Sequence, residues 1–272
     1  MWDLRDYLLT LCQVCHLIFS MSDPTISSLD PRSIRTPTRM LVVGSTGTGK
    51  SYMMREVLYH MRHKFDIVVL FCPSSDLTLA NLIPRMFVYN RFDVARLGEI
   101  LQLQRNLGNC AGGRSDRRRR MCVILDDCFT ARNVGNEKPF LDLLMRGRHE
   151  NITVIAMVQY MMFMPAPARP QFDYLFLFHE PSETNRKTYY DLSNGCGFGK
   201  FATFNKIFDA VTQKKTCIVI NRSPSTGDDD DDDDAAPRLS DRQVLERRVT
   251  NYRAQRGLWP NPKTELTERS PP

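Results

Sequence analysis

A chain of 272 residues with 42% apolar content is long enough to bury one full α/β core with extensions. Its 37 lysines and arginines meet 31 acidic residues, seven of them in one run at 228–234, so the rest of the chain carries +13 and favours a polyanionic partner, nucleic acid first. The eight cysteines do not suggest a disulfide scaffold. Cys72, Cys122 and Cys217 fall in apolar runs, where a thiol packs as a small hydrophobe, so a reducing intracellular compartment is expected rather than secretion.

Residues 1–37 read as an N-terminal extension, partly disordered. The apolar run 8–19 is too short to span a bilayer and is interrupted by Gln13 and His16. Asp3, Arg5 and Asp6 before it do not make the positive start of a secretory signal, and no membrane partner is expected. Cys12, Cys15 and His16 match the spacing of c-type haem attachment, but that chemistry needs export, so the haem is discarded. What is left is an apolar extension, or upstream sequence read through before a start at Met21.

The main domain is expected over 38–223. Residues 40–43 are an apolar run suited to a strand buried on both faces. Gly44, Ser45, Thr46, Gly47, Thr48, Gly49, Lys50 and Ser51 follow at once and fit the P-loop at every fixed position. There the glycines let backbone N–H groups turn in around phosphates, Lys50 reaches the β- and γ-phosphates, and the Ser51 hydroxyl ligates magnesium. ATP is the expected substrate, Mg2+ its cofactor, and Lys50 is expected to face solvent. Met53, Met54, Val57, Leu58 and Met61 then recur on one helical stripe.

A second strand is expected at 67–72, closed by Pro73. Val94, Leu97 and Leu101 suit a helix, and 108–120 reads as a surface loop. Arg114 and the four arginines at 117–120 either touch phosphates, mark nuclear localisation or are simply solvated. The apolar run 121–125 ends in Asp126 and Asp127, at the strand end where open α/β sheets place ligands. Asp126 suits the magnesium shell. Asp127 suits the base that orients and deprotonates the attacking water, or else a neighbouring or capping role.

Phe140, Leu143 and Leu144 suit a helix ending at Arg146 and Gly147. A fourth strand at 152–158 ends at Gln159, which would sit between the two catalytic strands and sense a γ-phosphate, unless it is merely a polar strand end. A loop at 165–170, a strand at 173–179, a helix from Ser182 to Leu192 and a last strand at 216–220 follow. Phe201, Phe204, Phe208 and Val211 form a helical stripe that reads as core.

Residues 224–237 read as an acidic disordered linker, because like charges repel and nothing apolar is there to bury. The tail, 238–272, reads as basic and helical. Ser240 and Gln243 are spaced as a capping box, Leu245, Val249 and Tyr252 form a stripe, and five arginines lie on the other faces. Such a helix either binds DNA or a partner protein, or is a solvated helix.

The GSTGTGKS loop, the VILDD strand and GRHENITVIAMVQ together resemble the FtsK–HerA superfamily of P-loop motors. The continuation ARPQFDYLFLFHEPSETNRK, with IVINRS later, is similar to the poxvirus-type DNA-packaging ATPases of large and medium DNA viruses; the adenovirus packaging ATPase is more distantly similar. The resemblance covers about 38–223. It implies an ASCE, RecA-like α/β fold with a mainly parallel sheet in the strand order 5-1-4-3-2. It also implies a ring, hexameric or pentameric, around double-stranded DNA, with capsid or portal-vertex partners. Gln159 becomes the sensor. Arg148, before the fourth strand, becomes a trans-acting arginine expected near the active edge, with Arg146 in reserve, unless both merely hold helix-terminal carbonyls or face solvent. Many relatives carry glutamate where this chain has Asp127, which bears on the base and not on the metal site.

The expected activity is therefore ATP hydrolysis driving viral DNA into a capsid, in the host cell or on the virion. The competing expectation is a DNA-binding or assembly factor whose nucleotide site turns over little. Hydrolysis with and without double-stranded DNA separates them. A nucleotide kinase is a distant third, since neither lid arginines nor an acceptor pocket can be read.

Overall fold

Strands that are apolar at nearly every position, rather than alternating, belong in a sheet covered on both faces. The computed structural model describes residues 27–74, 77–110, 119–129, 137–193, 198–222 and 242–245, and builds such a sheet. Its strands are β1 (Ser27–Ser28), β2 (Arg39–Val43), β3 (Ile67–Phe71), β4 (Val88–Tyr89), β5 (Met121–Asp126), β6 (Ile152–Val158), β7 (Tyr174–Phe178), β8 (Cys217–Asn221) and β9 (Arg242–Leu245). The helices are α1 (Lys50–Met61), α2 (Leu77–Ala80), α3 (Val94–Cys110), α4 (Lys138–Arg146), α5 (Glu183–Leu192) and α6 (Phe201–Thr212).

The sheet order is β1-β9-β8-β7-β2-β6-β5-β3-β4. Counted among themselves, β2, β3, β5, β6 and β7 stand in the expected order 5-1-4-3-2, all parallel. The margins differ from the expectation: β4 adds a short parallel edge strand, while on the other side β8 runs antiparallel to β7, and β9 and β1 beyond it run again in the direction of the central strands.

Alternate residues of each central strand feed two cores. Met40 and Val42 of β2 pack in one core with Met53, Met54, Val57, Leu58 and Met61, the expected stripe of α1. Burying each such side chain contributes roughly 1.5–3 kcal/mol, which fixes α1 against the sheet more firmly than helix propensity would. Leu41 and Val43 pack in the other core with residues of α3, α4 and α6. Phe204 and Phe208 are fully buried there beside Tyr189 and Phe198, so the aromatic stripe of α6 is core, as expected. Cys72, Cys122 and Cys217 are buried thiols outside any disulfide, and burial raises the pKa of all three.

Two local expectations are corrected. α3 continues through Gly108 to Cys110, into the stretch read as loop. A glycine in a helix costs only about 1 kcal/mol, so the amphipathic pattern upstream carries the helix past it. In the tail, Arg242–Leu245 is a strand and not helix. β8 offers an open edge of backbone N–H and C=O groups, and pairing with that edge outweighs a helical pattern with no core of its own. Residues 1–26, Arg114, Arg117 and Arg118, the 228–234 run and the rest of the tail lie outside the described residues.

Candidate active site

Because the central strands are parallel, their C-terminal ends share one edge of the sheet. β2 opens into the P-loop, and the Gly44 N–H donates to the carbonyl of Val158 at 3.2 Å, tying the loop to the end of β6. A Cβ on Gly44 would fall 2.6 Å from Phe178 Cβ and 2.8 Å from Thr48 Oγ1, so only glycine lets the loop pass this close to β7. Gly47 (φ 82) and Gly49 (φ 102) take left-handed conformations that turn the chain into α1. The Thr48 hydroxyl closes the loop with a 2.8 Å bond to the Ser45 carbonyl, while Thr46 and Gly47 face solvent. Ser51 is half-buried in the first turn of α1, where orphan N–H groups favour anions.

Lys50 departs from the expectation. It is buried, not solvent-facing, with 6% of its surface exposed. Its ammonium donates to the carbonyls of Gly44 (2.6 Å) and Ser45 (3.3 Å). A cation drawn from water needs acceptors, and the curled main chain supplies them.

Asp126 ends β5, is buried, and stands in register with Met157 of the neighbouring β6. Two thiols flank it. Cys72 Sγ donates to Asp126 Oδ2 at 3.5 Å, and Cys128 Sγ lies 3.5 Å from the Asp126 carbonyl. Burial, with the Asp126 carboxylate adding to it, raises the Cys72 pKa and keeps it a protonated donor. The sequence marked Cys72 only as a buried strand thiol and did not mark Cys128; the one signal for the pair was a cysteine at or just past the end of each of two strands that turn out to be neighbours.

Asp127 leaves the strand at φ 50, a left-handed conformation that aspartate tolerates better than most residues. Its N–H donates to the Met157 carbonyl at 3.0 Å, and its Oδ2 accepts from Gln159 Nε2 at 3.1 Å. Both side chains are half-exposed. Two residues singled out separately in the sequence thus form one polar pair, on the strand between the P-loop strand and Asp126 and at its border. Directly after Gln159, Tyr160, Met162 and Phe163 are exposed, at 42%, 74% and 39%.

Arg148 is not brought to this edge. A residue preceding a parallel strand lies at the N-terminal edge, so its expected placement near the active edge is corrected. There Arg148 Nη2 pairs with Asp173 Oδ1, which Arg39 also holds at 3.0 Å. Thr38 Oγ1 and the Arg39 N–H donate to Asp173 Oδ2 as well, at 3.1 and 2.8 Å. Burial alone would raise the Asp173 pKa, but the bonds from Arg39 and Arg148 outweigh it and hold the carboxyl below its usual range. Arg146 is exposed at the end of α4. Of the arginine cluster, Arg120 is engaged by Asp66 at 2.9 Å.

The sheet order, the P-loop and the acid–glutamine pair define a P-loop NTPase fold. The family model described as Poxvirus A32 protein matches residues 30–255, and the chain belongs to that family. Protein 015R of Frog virus 3 (isolate Goorha) is 27% identical over 192 residues, 70% of this chain and 58% of that protein, so this chain spans less than two thirds of that relative's length. Protein 088R of Invertebrate iridescent virus 3 is 24% identical over 231 residues, 84% of this chain and 85% of that protein. Among solved structures, the genome packaging NTPase B204 from Sulfolobus turreted icosahedral virus 2, in complex with AMP, is similar in fold. It has a TM-score of 0.50 at 13% identity and covers 71% of this chain and 94% of that one.

Proposed function

We propose that this chain hydrolyses ATP and uses the cycle to drive double-stranded viral DNA into a capsid. The observation that carries the reading is the Asp127–Gln159 pair, held at 3.1 Å on the edge where the P-loop opens. P-loop N–H groups and Lys50 hold the phosphates. Asp127 takes the proton of the attacking water, and Gln159, hydrogen-bonded to it, orients that water and reports on the γ-phosphate. The left-handed turn at Asp127 carries the carboxylate to Gln159, which offsets a side chain one methylene shorter than glutamate.

Ser51 and Asp126 supply a hydroxyl and a carboxylate, hard oxygen donors suited to Mg2+, which takes one or two protein groups and fills its shell with phosphate and water. Among the described residues no group of three or more His, Cys, Asp or Glu could hold a metal ion. Magnesium bound there would neutralise charge on the β- and γ-phosphate oxygens.

Arg148 lies on the opposite edge from the P-loop of its own subunit, so as a finger it acts only in trans. A head-to-tail ring joins two different faces of the chain at every contact, and in this reading those faces are the N-terminal edge of one copy and the C-terminal edge of the next. The exposed Tyr160, Met162 and Phe163 fit burial at such a contact. The excess of +13 outside the acidic run supports DNA as the polyanion in the ring. Capsid or portal-vertex proteins complete the machine in this reading, in the host cell or on the virion. Among the described residues no helix is long and apolar enough to cross a membrane.

The test is ATP turnover with magnesium, with and without double-stranded DNA. Stimulation by DNA is expected. ATP binding without turnover in either condition would assign the chain instead to a DNA-binding or assembly factor.

A further inference from the structure

β8 runs antiparallel to β7, so its beginning lies on the P-loop edge, with Cys217 opposite Phe178. The turn that leads into it, Gln213–Lys215, is thereby carried against the P-loop. Lys215 Cβ sits 3.7 Å from the point that a side chain on Gly49 would occupy. Lys215 itself holds φ 63, a left-handed conformation that residues with a Cβ seldom adopt outside sites that over-determine it.

Hydroxyls on either side of the turn do the holding. The Thr216 hydroxyl shares its one proton between the carbonyls of Val211 and Gln213, the latter at 2.9 Å. Thr212 Oγ1 donates to the Phe208 carbonyl at 2.7 Å and lies 3.3 Å from His179 Nδ1, just past β7. The Lys215 side chain is exposed, and among the described residues no carboxylate forms an ion pair with it.

We propose that Lys215 is a second cationic contact for the polyphosphate of a nucleoside di- or triphosphate, on the far side of the P-loop from Asp126, Asp127 and Gln159. β2 stands between β6 and β7. The β6 side carries the groups that act on the γ-phosphate, so the β7 and β8 side meets the part of the polyphosphate nearer the nucleoside. A lysine's compact charge on a flexible four-carbon stem reaches over Gly49 to that part. This inference rests on nucleotide binding by the P-loop. A contact to phosphates shared by ATP and ADP gives uniform binding and acts on KM rather than on kcat.

The experiment titrates ATP and ADP against wild type, Lys215→Ala, Lys215→Arg and Lys50→Ala, and measures steady-state hydrolysis alongside. Lys215→Ala is expected to weaken ATP and ADP alike by about tenfold, the size of one charge-assisted hydrogen bond, with most of the loss on KM. Lys215→Arg restores most of it. Wild-type affinity of Lys215→Ala for both nucleotides, or a loss confined to kcat, overturns the assignment while leaving the P-loop reading in place. If wild type binds neither nucleotide, both readings fall together.

Discussion

On the N-terminal edge of the sheet, charges meet charges. Asp173 is held by Arg39 and Arg148, Asp66 by Arg120, and Glu150 by Arg105 at 2.7 Å. On the C-terminal edge the backbone instead turns left-handed at Gly47, Gly49, Asp127 and Lys215, and polar groups lean on main-chain carbonyls or on one another. Asn151 is the left-handed residue of the N-terminal edge, and asparagine takes that conformation with little strain. The same parallel strands thus end in left-handed turns on one side and in ion pairs on the other. Such turns aim groups at a substrate before it arrives, while the paired edge steadies the scaffold.

Substitutions on the two edges should therefore separate activity from stability. The largest effect is expected for Lys50→Ala, which should abolish hydrolysis and most ATP binding. Its melting temperature should stay near wild type, because the two hydrogen bonds lost to Gly44 and Ser45 are offset by no longer burying a cation. Wild-type turnover in the purified variant would remove the P-loop from the mechanism.

Arg148→Ala crosses the comparison, since it sits on the scaffold edge but is assigned to catalysis. Loss of a trans-acting finger should lower kcat by roughly a thousandfold or more with ATP affinity retained. Mixing it with Lys50→Ala should restore some turnover, because a mixed boundary pairs an intact loop with an intact finger. Absence of rescue in rings shown to exchange subunits would reduce Arg148 to a partner of Asp173.

Asp173→Asn tests the scaffold side. Leaving Arg39 and Arg148 without their carboxylate should destabilise the fold by about 3 kcal/mol, the low end for breaking a buried pair because Arg148 is partly exposed. Asp173 has a depressed folded pKa, so its contribution is fully present above the ordinary aspartate value near 3.9 and is lost as pH falls through the folded value. Thermal melts should show wild type losing its margin over Asp173→Asn below about pH 4, and a margin independent of pH would contradict the pairing. The smallest effect is expected at Asp66→Ala. Its partner Arg120 is 47% exposed, and solvent-screened pairs of this kind contribute about 0–1 kcal/mol.

Much of the C-terminal edge was legible because its signals are local. Apolar runs bounded by glycine or paired aspartates name both a strand and its functional end, and a strand order known by resemblance then brings Asp127 beside Gln159. What stayed hidden depends on direction and on partners far along the chain. Nothing in the residues 217–221 says that β8 runs antiparallel, so the approach of Lys215 to Gly49 could not be read. Nearness to a strand does not say which of its ends a residue meets, so Arg148, expected at the active edge, lies at the opposite one. The tail pattern of Leu245, Val249 and Tyr252 is helical in spacing, yet an open sheet edge takes up Arg242–Leu245. The burial of Lys50 follows from how the loop curls, which spacing alone does not encode.

The central claim is that the C-terminal edge activates water through Asp127, and Asp127→Asn tests it most directly when ATP affinity and single-turnover hydrolysis are measured on the same preparation. Wild-type affinity is expected with turnover lowered by about a hundredfold to ten-thousandfold, since the amide still accepts from Gln159 but takes no proton. Turnover within twofold of wild type, or an equal loss of binding and rate, would contradict it.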